Sequence, residues 1–349
     1  MLVTTTNSAA LLPHISPLQK YKLRWKRRCW LWRAFRSRHD LTQVTPLNSA
    51  HRPGAVLGFL CVRNEIERIA HVIDYYRTRG VEHFYIVDNA SDDGTADWLK
   101  AAQDITLWQT EASYRASKFG IDWINWLLTR YGHGHWCLTV DADELLVYLG
   151  DDQHNIPDLT QHLDEKKRPA FGALMLDLYP QNALGTAPGA PGPLEVLEWF
   201  DPAPYRTQRQ SPMGNLWVQG GPRDRVFFPT SPQKAPTLNK LPLVRWRRGM
   251  IYVNSTHAML PRPMNMAYDG PGGEIPSGAL LHTKFLPEIV EKSALERHRA
   301  QHFHTPAEFA HYYDQIEAEP TLWHPGSVRY QSPKQLADLS LITPCDWAE

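Results

Sequence analysis

Between Val56 and Asp143 the chain alternates short apolar runs with amphipathic stretches, and nearly every run ends in polar residues. No other feature constrains the fold as strongly. A run that is apolar at every position suits a strand covered on both faces, and alternation of such strands with helices leads to a parallel sheet with right-handed crossovers. Strands are expected at Val56–Val62, Phe84–Val87, Ile105–Gln109 and Trp136–Val140. Between the first two, Ile66, Ile69, Ile73 and Tyr76 recur on one face of a helix. Asn64 is placed to cap that helix, Glu65 and Glu67 lie in its first turn, and Arg77, Arg79 and Gly80 close it. A short helix is expected over Thr95–Ala102 and an amphipathic one over Ala116–Arg130, with Phe119, Trp123, Trp126 and Leu127 inward. The expected class is α/β, a Rossmann-like, mostly parallel sheet flanked by helices.

Ligands of such sheets bind beyond the carboxyl ends of the strands. Asn64/Glu65, Asp88/Asn89 and Asp141/Asp143 all follow a strand directly and therefore share one rim. In VDADE, residues 140–144, an extended backbone would point Asp141 and Asp143 the same way, so that both could hold one hard cation through oxygen. In VDNASDDGT, residues 87–95, Asp88 can accept hydrogen bonds from a base or ribose, and Asn89 to Gly94 supply a turn before the next helix. No GxGxxG follows the first strand and no GxxxxGK[ST] loop occurs, which excludes the usual dinucleotide and P-loop fingerprints.

Beyond residue 150 proline and glycine become dense, from Pro180 to Pro193 and from Pro261 to Pro276. Short strands are expected at Ala173–Leu178, Arg225–Phe228, Leu243–Trp246, Ile251–Asn254 and Ala279–Leu281, and helices at Pro287–Gln301 and Pro306–Ala318. The aromatic residues of this half, such as Tyr179, Trp199 and Trp246, fit either a core or sugar stacking.

Net charge is zero, yet Lys20 to Arg38 holds nine Lys or Arg and no acid, leaving 28 basic against 37 acidic residues elsewhere. That distribution excludes a basic nucleic-acid groove through the body and marks one local basic element. Trp25, Trp30, Trp32 and Phe35 interleave with those charges. The segment suits the headgroup region of an anionic membrane, or equally a disordered basic tail. The four cysteines form no CxxC pair, and no apolar run reaches the length of a membrane span, so a cytoplasmic protein is expected, with residues 20–38 at the inner membrane face.

FLCVRNEIERI, YIVDNASDDGT and LTVDADELLVY, in that order, resemble the family 2-type glycosyltransferases of the GT-A fold, and more narrowly bacterial relatives near family 92. The resemblance runs from about Val56 to Phe285. It implies a nucleotide-sugar half at 53–150 and an acceptor half at 151–285; the texture of the chain adds an extension at 1–52 before them and a helical region at 286–349 after them. It implies that Asp88 contacts the nucleoside, and that Asp141 and Asp143 bind Mn²⁺ or Mg²⁺ with the diphosphate of a sugar donor, a UDP-sugar by preference. Arg63, Asn64 and Glu65 would line the nucleotide pocket, with Lys118 approaching it; Asn89, beside Asp88, is a further binding candidate, and Arg223, Arg225 and Lys240 either offset diphosphate charge or are solvated loop cations. The later half shares GGPRDRVFF, LNKLPLVRW, STHAM and GALLHTKF, and either His257 or His282 would complete the metal site.

An inverting transfer to a glycan or glycolipid hydroxyl, as in surface-polysaccharide synthesis, also needs a base. The family's ED-type motif is absent, and Asp177 or Asp224 is expected in its place. A metal-dependent nucleotidyltransferase and a silent nucleotide-sugar-binding scaffold are the rival readings; the first lacks a basic triphosphate loop, and the second is disfavoured by the intact aspartate pair.

Overall fold

The apolar runs of the first half become neighbouring strands. The computed structural model describes residues 12–48, 50–186, 192–290, 292–293 and 314–347. Its first seven strands are β1 (Thr42–Gln43), β2 (Val56–Val62), β3 (Val81–Asp88), β4 (Ile105–Gln109), β5 (Trp136–Thr139), β6 (Glu144–Val147) and β7 (Ala170–Asp177). They are followed by β8 (Trp199–Phe200), β9 (Tyr205–Arg209), β10 (Leu216–Gly220), β11 (Asn239–Arg245), β12 (Ile251–Tyr252), β13 (Met259–Leu260), β14 (Ser277–His282) and β15 (Val328–Arg329). Nine of these form one sheet in the order β1-β4-β3-β2-β5-β11-β7-β14-β6, and the remainder pair as ribbons. Strands β2, β3, β4, β5, β7 and β14 run in one direction; β1, β6 and β11 run against them. The helices are α1 (Pro17–Ser37), α2 (Ile66–Thr78), α3 (Thr95–Ala101), α4 (Ile121–Tyr131) and α5 (Ile156–Glu165), with short turns later. The class is α/β, a mostly parallel sheet flanked by helices.

Burial explains the central strands. Every residue of β2 except Cys61 is buried, as its unbroken apolar run requires. Gly58 lies opposite Phe84 on β3, and a Cβ there would come within 2.5 Å of the phenyl ring, so only glycine allows the two strands to close. Helix α2 buries Ile69, Ile73 and Tyr76 of the face its periodicity predicts, together with Val72, while Ile66 in its first turn is half-buried. Tyr76 then reaches over to β6: its hydroxyl donates to Glu144 O and accepts from Leu146 N, fixing α2 against the outermost strand.

Several local expectations fail for identifiable reasons. The helix expected from Ala116 starts at Ile121, because Lys118, Phe119 and Gly120 all adopt positive φ (55°, 61° and 75°). The strand expected at Arg225–Phe228 is a wide helical turn over Arg223–Phe227. Residues 1–52 are not wholly an extension: β1 pairs with β4, and α1 packs Leu23 and Ala34 into a small apolar cluster with Met213, Ile251, Val253 and Leu260. The expected helices at Pro287–Gln301 and Pro306–Ala318 lie mostly outside the described residues. Among those described, no helix is long and apolar enough to cross a membrane.

At the opposite end of the sheet from the strand-end rim, His51, His83 and His135 form a cluster, with ring centroids 5.2 Å (His51–His83) and 5.8 Å (His51–His135) apart. Burial, helped by His51, pulls the His83 imidazole down to about 4. A histidine depressed on folding contributes stability above its unfolded pKa, near 6.5, and loses it as pH falls toward the folded value. Unfolding free energy should therefore drop by about 2 kcal/mol between pH 7 and pH 5 from His83 alone. Denaturant titrations at both pH values check this. His83→Gln should flatten the dependence, and an unchanged slope would remove His83 as its source.

Candidate active site

Strand register assembles the site. On β7, β14 and β6, which lie side by side, Asp177 is opposite His282 and His282 is opposite Glu144, so three polar residues form a row across strand ends. The turn from β5 to β6 carries Asp141 and Asp143 onto the same rim. Lys240 of β11 enters from between β5 and β7.

The row is held by charge. Arg223 grips Asp177 with two bonds, Nε to Oδ2 at 2.7 Å and Nη2 to Oδ1 at 2.8 Å. His282 Nδ1 donates to Asp177 Oδ1 at 2.6 Å, and its Nε2 lies 3.1 Å from Asp143 Oδ2. Burial opposes the charge on His282, but Asp143 and Asp177 together raise its pKa. Burial likewise opposes ionisation of Asp143, yet His282 and then Arg68 hold its carboxyl well below the usual range. Asp177, despite complete burial, is pulled down to about 2 by Arg223 and His282. A carboxylate so engaged is a poor proton acceptor. The expectation that Asp177 is the base meets this obstacle: its oxygens are spent on Arg223 and His282.

A second charge group lies beside the first. The Lys240 ammonium, 3% exposed, sits 3.0 Å from Asp141 Oδ2 and 2.8 Å from Glu144 Oε1. Burial penalises that ammonium, but the two carboxylates more than offset it and raise its pKa. The other Glu144 oxygen accepts the Asp141 amide at 3.1 Å, and Glu144 N bonds to Asp141 O, closing residues 141–144 into a turn. The backbone is therefore not extended there, and the premise that Asp141 and Asp143 point the same way fails. Asp141 turns to Lys240 and Asp143 to His282. Lys240 serves these carboxylates in the position where phosphate charge was expected to meet it.

The nucleoside-side loops are tied to each other. Arg63 Nη1 donates to Asn89 O at 2.8 Å, Asn64 exchanges two bonds with Asp92, and Asn89 Nδ2 donates to Thr110 O and Ala112 O. Asn64 does not cap α2 with its side chain; Asp93 reaches across from the other loop and accepts from Ile66 N at 3.1 Å. Asp88 is fully buried, and its Oδ2 accepts from Ser91 N, while its Oδ1 has no hydrogen-bond partner among the described residues. Cys61 stands between the two acidic regions: burial raises its thiol pKa, and Asp141 and Asp88 raise it further. Glu65, also raised by burial, is paired with Arg68 at 2.8 Å and Lys292 at 2.9 Å. Lys118 sits in the left-handed turn before α4, where its charge acts on Asp122.

The remaining candidates flank the row. His257 Nδ1 donates to Asn239 O at 2.5 Å, which leaves Nε2 as the lone-pair nitrogen, and burial and Lys240 lower its pKa to about 3. Asp224 follows Arg223 directly; its Oδ2 is 2.5 Å from Arg206, and burial raises its pKa. Arg225 is engaged elsewhere, with both oxygens of Asp201. Two members had no assigned role from sequence. Glu144 adjoins the aspartates in sequence, and Arg68, 4.0 Å from Asp143, lies on α2. Its signal was placement beside Ile69 and Val72 on the inward face of α2, where an arginine must find acid.

Among the described residues, no group of three or more His, Cys, Asp or Glu side chains is arranged to hold a metal ion. The donors that converge are a pair, Asp143 Oδ2 and His282 Nε2. Their separation and chemistry fit two adjacent ligands of one divalent cation, and the Asp177 bond to the far ring nitrogen is the support a metal-bound histidine normally has.

No protein-family model matches the chain, and no curated protein matches it in sequence. Among solved structures, it is similar to the mannosyltransferase PcManGT from Pyrobaculum calidifontis, in complex with GDP-Man and Mn²⁺, at 18% identity and a TM-score of 0.27. That match covers 46% of each chain, so this chain spans less than half the length of that enzyme. A Bacillus anthracis protein described as a glucose-1-phosphate thymidylyltransferase, in complex with a sucrose, matches at 7% identity and a TM-score of 0.28, covering 54% of this chain and 70% of the other.

Proposed function

We propose that the chain transfers a sugar from a nucleoside-diphosphate sugar to a hydroxyl of a glycan or glycolipid. The observation that carries this reading is the single rim on which a buried Asp88 oxygen, without a partner among the described residues, stands with the Asp143–His282 pair. An ionised carboxylate only accepts, so Asp88 Oδ1 is suited to a base or ribose donor. Asp143 and His282 would hold a divalent cation, Mn²⁺ or Mg²⁺. When bound, that ion neutralises the diphosphate and stabilises the leaving charge.

The chain's own groups supply the rest. Asp177 orients His282 and keeps a proton on Nδ1, and Arg223 fixes Asp177 in turn. Lys240 restrains Asp141 beside the diphosphate position until a competing positive charge arrives; 55% of the Asp141 side chain is exposed, which leaves it room to swing. His257 presents Nε2 as a neutral acceptor on the Lys240 side. Asp224 is the better candidate for the base: burial favours its protonated form, so it can take the acceptor's hydroxyl proton once Arg206 is displaced. A UDP-sugar donor, inversion, and a place in surface-polysaccharide synthesis complete the reading.

The test is product analysis with UDP-, GDP- and CMP-sugars plus a mixed glycan and glycolipid acceptor panel, with and without Mn²⁺. Mn²⁺-dependent release of a nucleoside diphosphate supports transfer. Pyrophosphate released from a nucleoside triphosphate and a sugar phosphate would replace it with nucleotidyl transfer, and turnover of nothing in either assay would leave a silent binder.

A further inference from the structure

Helix α1 has two apolar faces. Its spacing places Leu23, Trp30 and Ala34 on one side, where they meet the cluster around Met213 and Ile251. On the opposite side lie Leu18, Tyr21, Trp25, Trp32 and Phe35, at intervals of three, four, seven and three residues, and between 42% and 61% exposed. This is why the segment looks imperfectly amphipathic in sequence: two stripes a half-turn apart cancel each other's periodicity. The helix is also well anchored. Ser16 and Gln19 form a capping box, Arg33 binds Asp122 at 2.6 Å and Ala116 O at 3.0 Å, and the Ser37 hydroxyl donates to Asp122 O. The outward stripe is thus presented by a fixed element.

The basic residues border that stripe. Arg28 lies over the Trp25 ring at 5.5 Å and Arg38 over Phe35 at 3.5 Å, while Lys22 and Arg36 are exposed on the same side. Apart from Arg33, which is paired with Asp122, the other eight cations between Lys20 and Arg38 make the helix repel a second copy of itself and attract a surface of the opposite charge. Tryptophan and tyrosine beside arginine and lysine match the level of a bilayer where rings enter the acyl boundary and cations meet phosphate.

We infer that the outer face of α1 is a docking surface for an anionic lipid bilayer, with Tyr21, Trp25, Trp32 and Phe35 inserted and Lys22, Arg28 and Arg36 on the headgroups. The inference goes beyond the transfer reading and does not depend on it. Arg33 links α1 to the 116–120 turn, so a docked helix would also set how the strand-end rim stands relative to the membrane.

Flotation of the full chain tests it, using phosphatidylcholine vesicles alone and with about one third phosphatidylglycerol. The full chain should float with the anionic vesicles and remain below with the neutral ones. Trp25→Ser/Trp32→Ser and, separately, Arg28→Glu/Arg36→Glu should each reduce flotation at least about tenfold, with unchanged circular dichroism because all four side chains are exposed. A full chain that stays below in both cases, or variants that float equally well, would overturn the inference. So would sedimentation showing a dimer that the tryptophan variant loses, since a second copy would then cover the stripe.

Discussion

Asp143→Ala is expected to lower sugar transfer by roughly two to three orders of magnitude, and His282→Gln by at least about tenfold, with little loss of fold stability. Asp143 stands at the open end of the Asp177–His282–Asp143 chain of contacts, still 22% exposed, and its removal leaves His282 bonded to Asp177. The damage should therefore fall on the donor complex. Asp177→Asn should act through His282: an amide in place of the carboxylate weakens the Nδ1 bond and frees the ring, raising the Mn²⁺ concentration needed for half-maximal rate more than it lowers the rate at saturation. Initial rates across a Mn²⁺ series, beside thermal unfolding of each variant, check this. If Asp143→Ala retained near wild-type transfer, the Asp177–His282–Asp143 contacts would be a structural ion-pair chain only.

Lys240→Met should cost about 3–5 kcal/mol of stability, since it leaves the fully buried Glu144 carboxylate without its cation. The matching double variant, Lys240→Met/Glu144→Gln, should recover a large part of the loss, giving a coupling energy above about 1 kcal/mol. Lys334→Met makes the contrast: its pairing with Asp338 is solvent-exposed on both sides, and the change should stay within about 0.5 kcal/mol. Urea unfolding of five proteins provides the comparison: the wild type, Lys240→Met, Glu144→Gln, their double variant and Lys334→Met. Equal small losses for Lys240→Met and Lys334→Met would mean that water reaches Glu144 and that the buried pair does not organise the turn.

The sheet was legible because its central strands are apolar at every position. β2 and β4 begin and end at the residues expected, and β3 merely extends further at both ends. The common rim followed from topology and is observed: Arg63, Asp88 and Asp141 all lie at or just beyond the carboxyl ends of parallel strands. What sequence could not supply was the side-chain pairing. Phe119, Trp123 and Leu127 recur every four residues, so a helix through all three looked consistent; the left-handed turn at Lys118–Gly120 leaves no trace in that spacing. Asp177 resembled a free acid because Arg223 and His282, 46 and 105 residues away, are invisible from its neighbours. The aspartate pair looked convergent because a tripeptide does not reveal that Glu144 folds back onto Asp141 N. The C-terminal part was least readable, since its short strands and turns carry little periodicity.

We propose that Asp143 and His282 hold one divalent cation together with a nucleoside diphosphate. Calorimetric titration of Mn²⁺ into the protein with and without UDP or GDP addresses it most directly. One equivalent of Mn²⁺ should bind more tightly when the preferred nucleotide is present, with proton release as the cation displaces the proton between Nε2 and Oδ2, and both signals should vanish in Asp143→Ala. Nucleotide binding that is indifferent to Mn²⁺, or Mn²⁺ binding unchanged in Asp143→Ala, would contradict it.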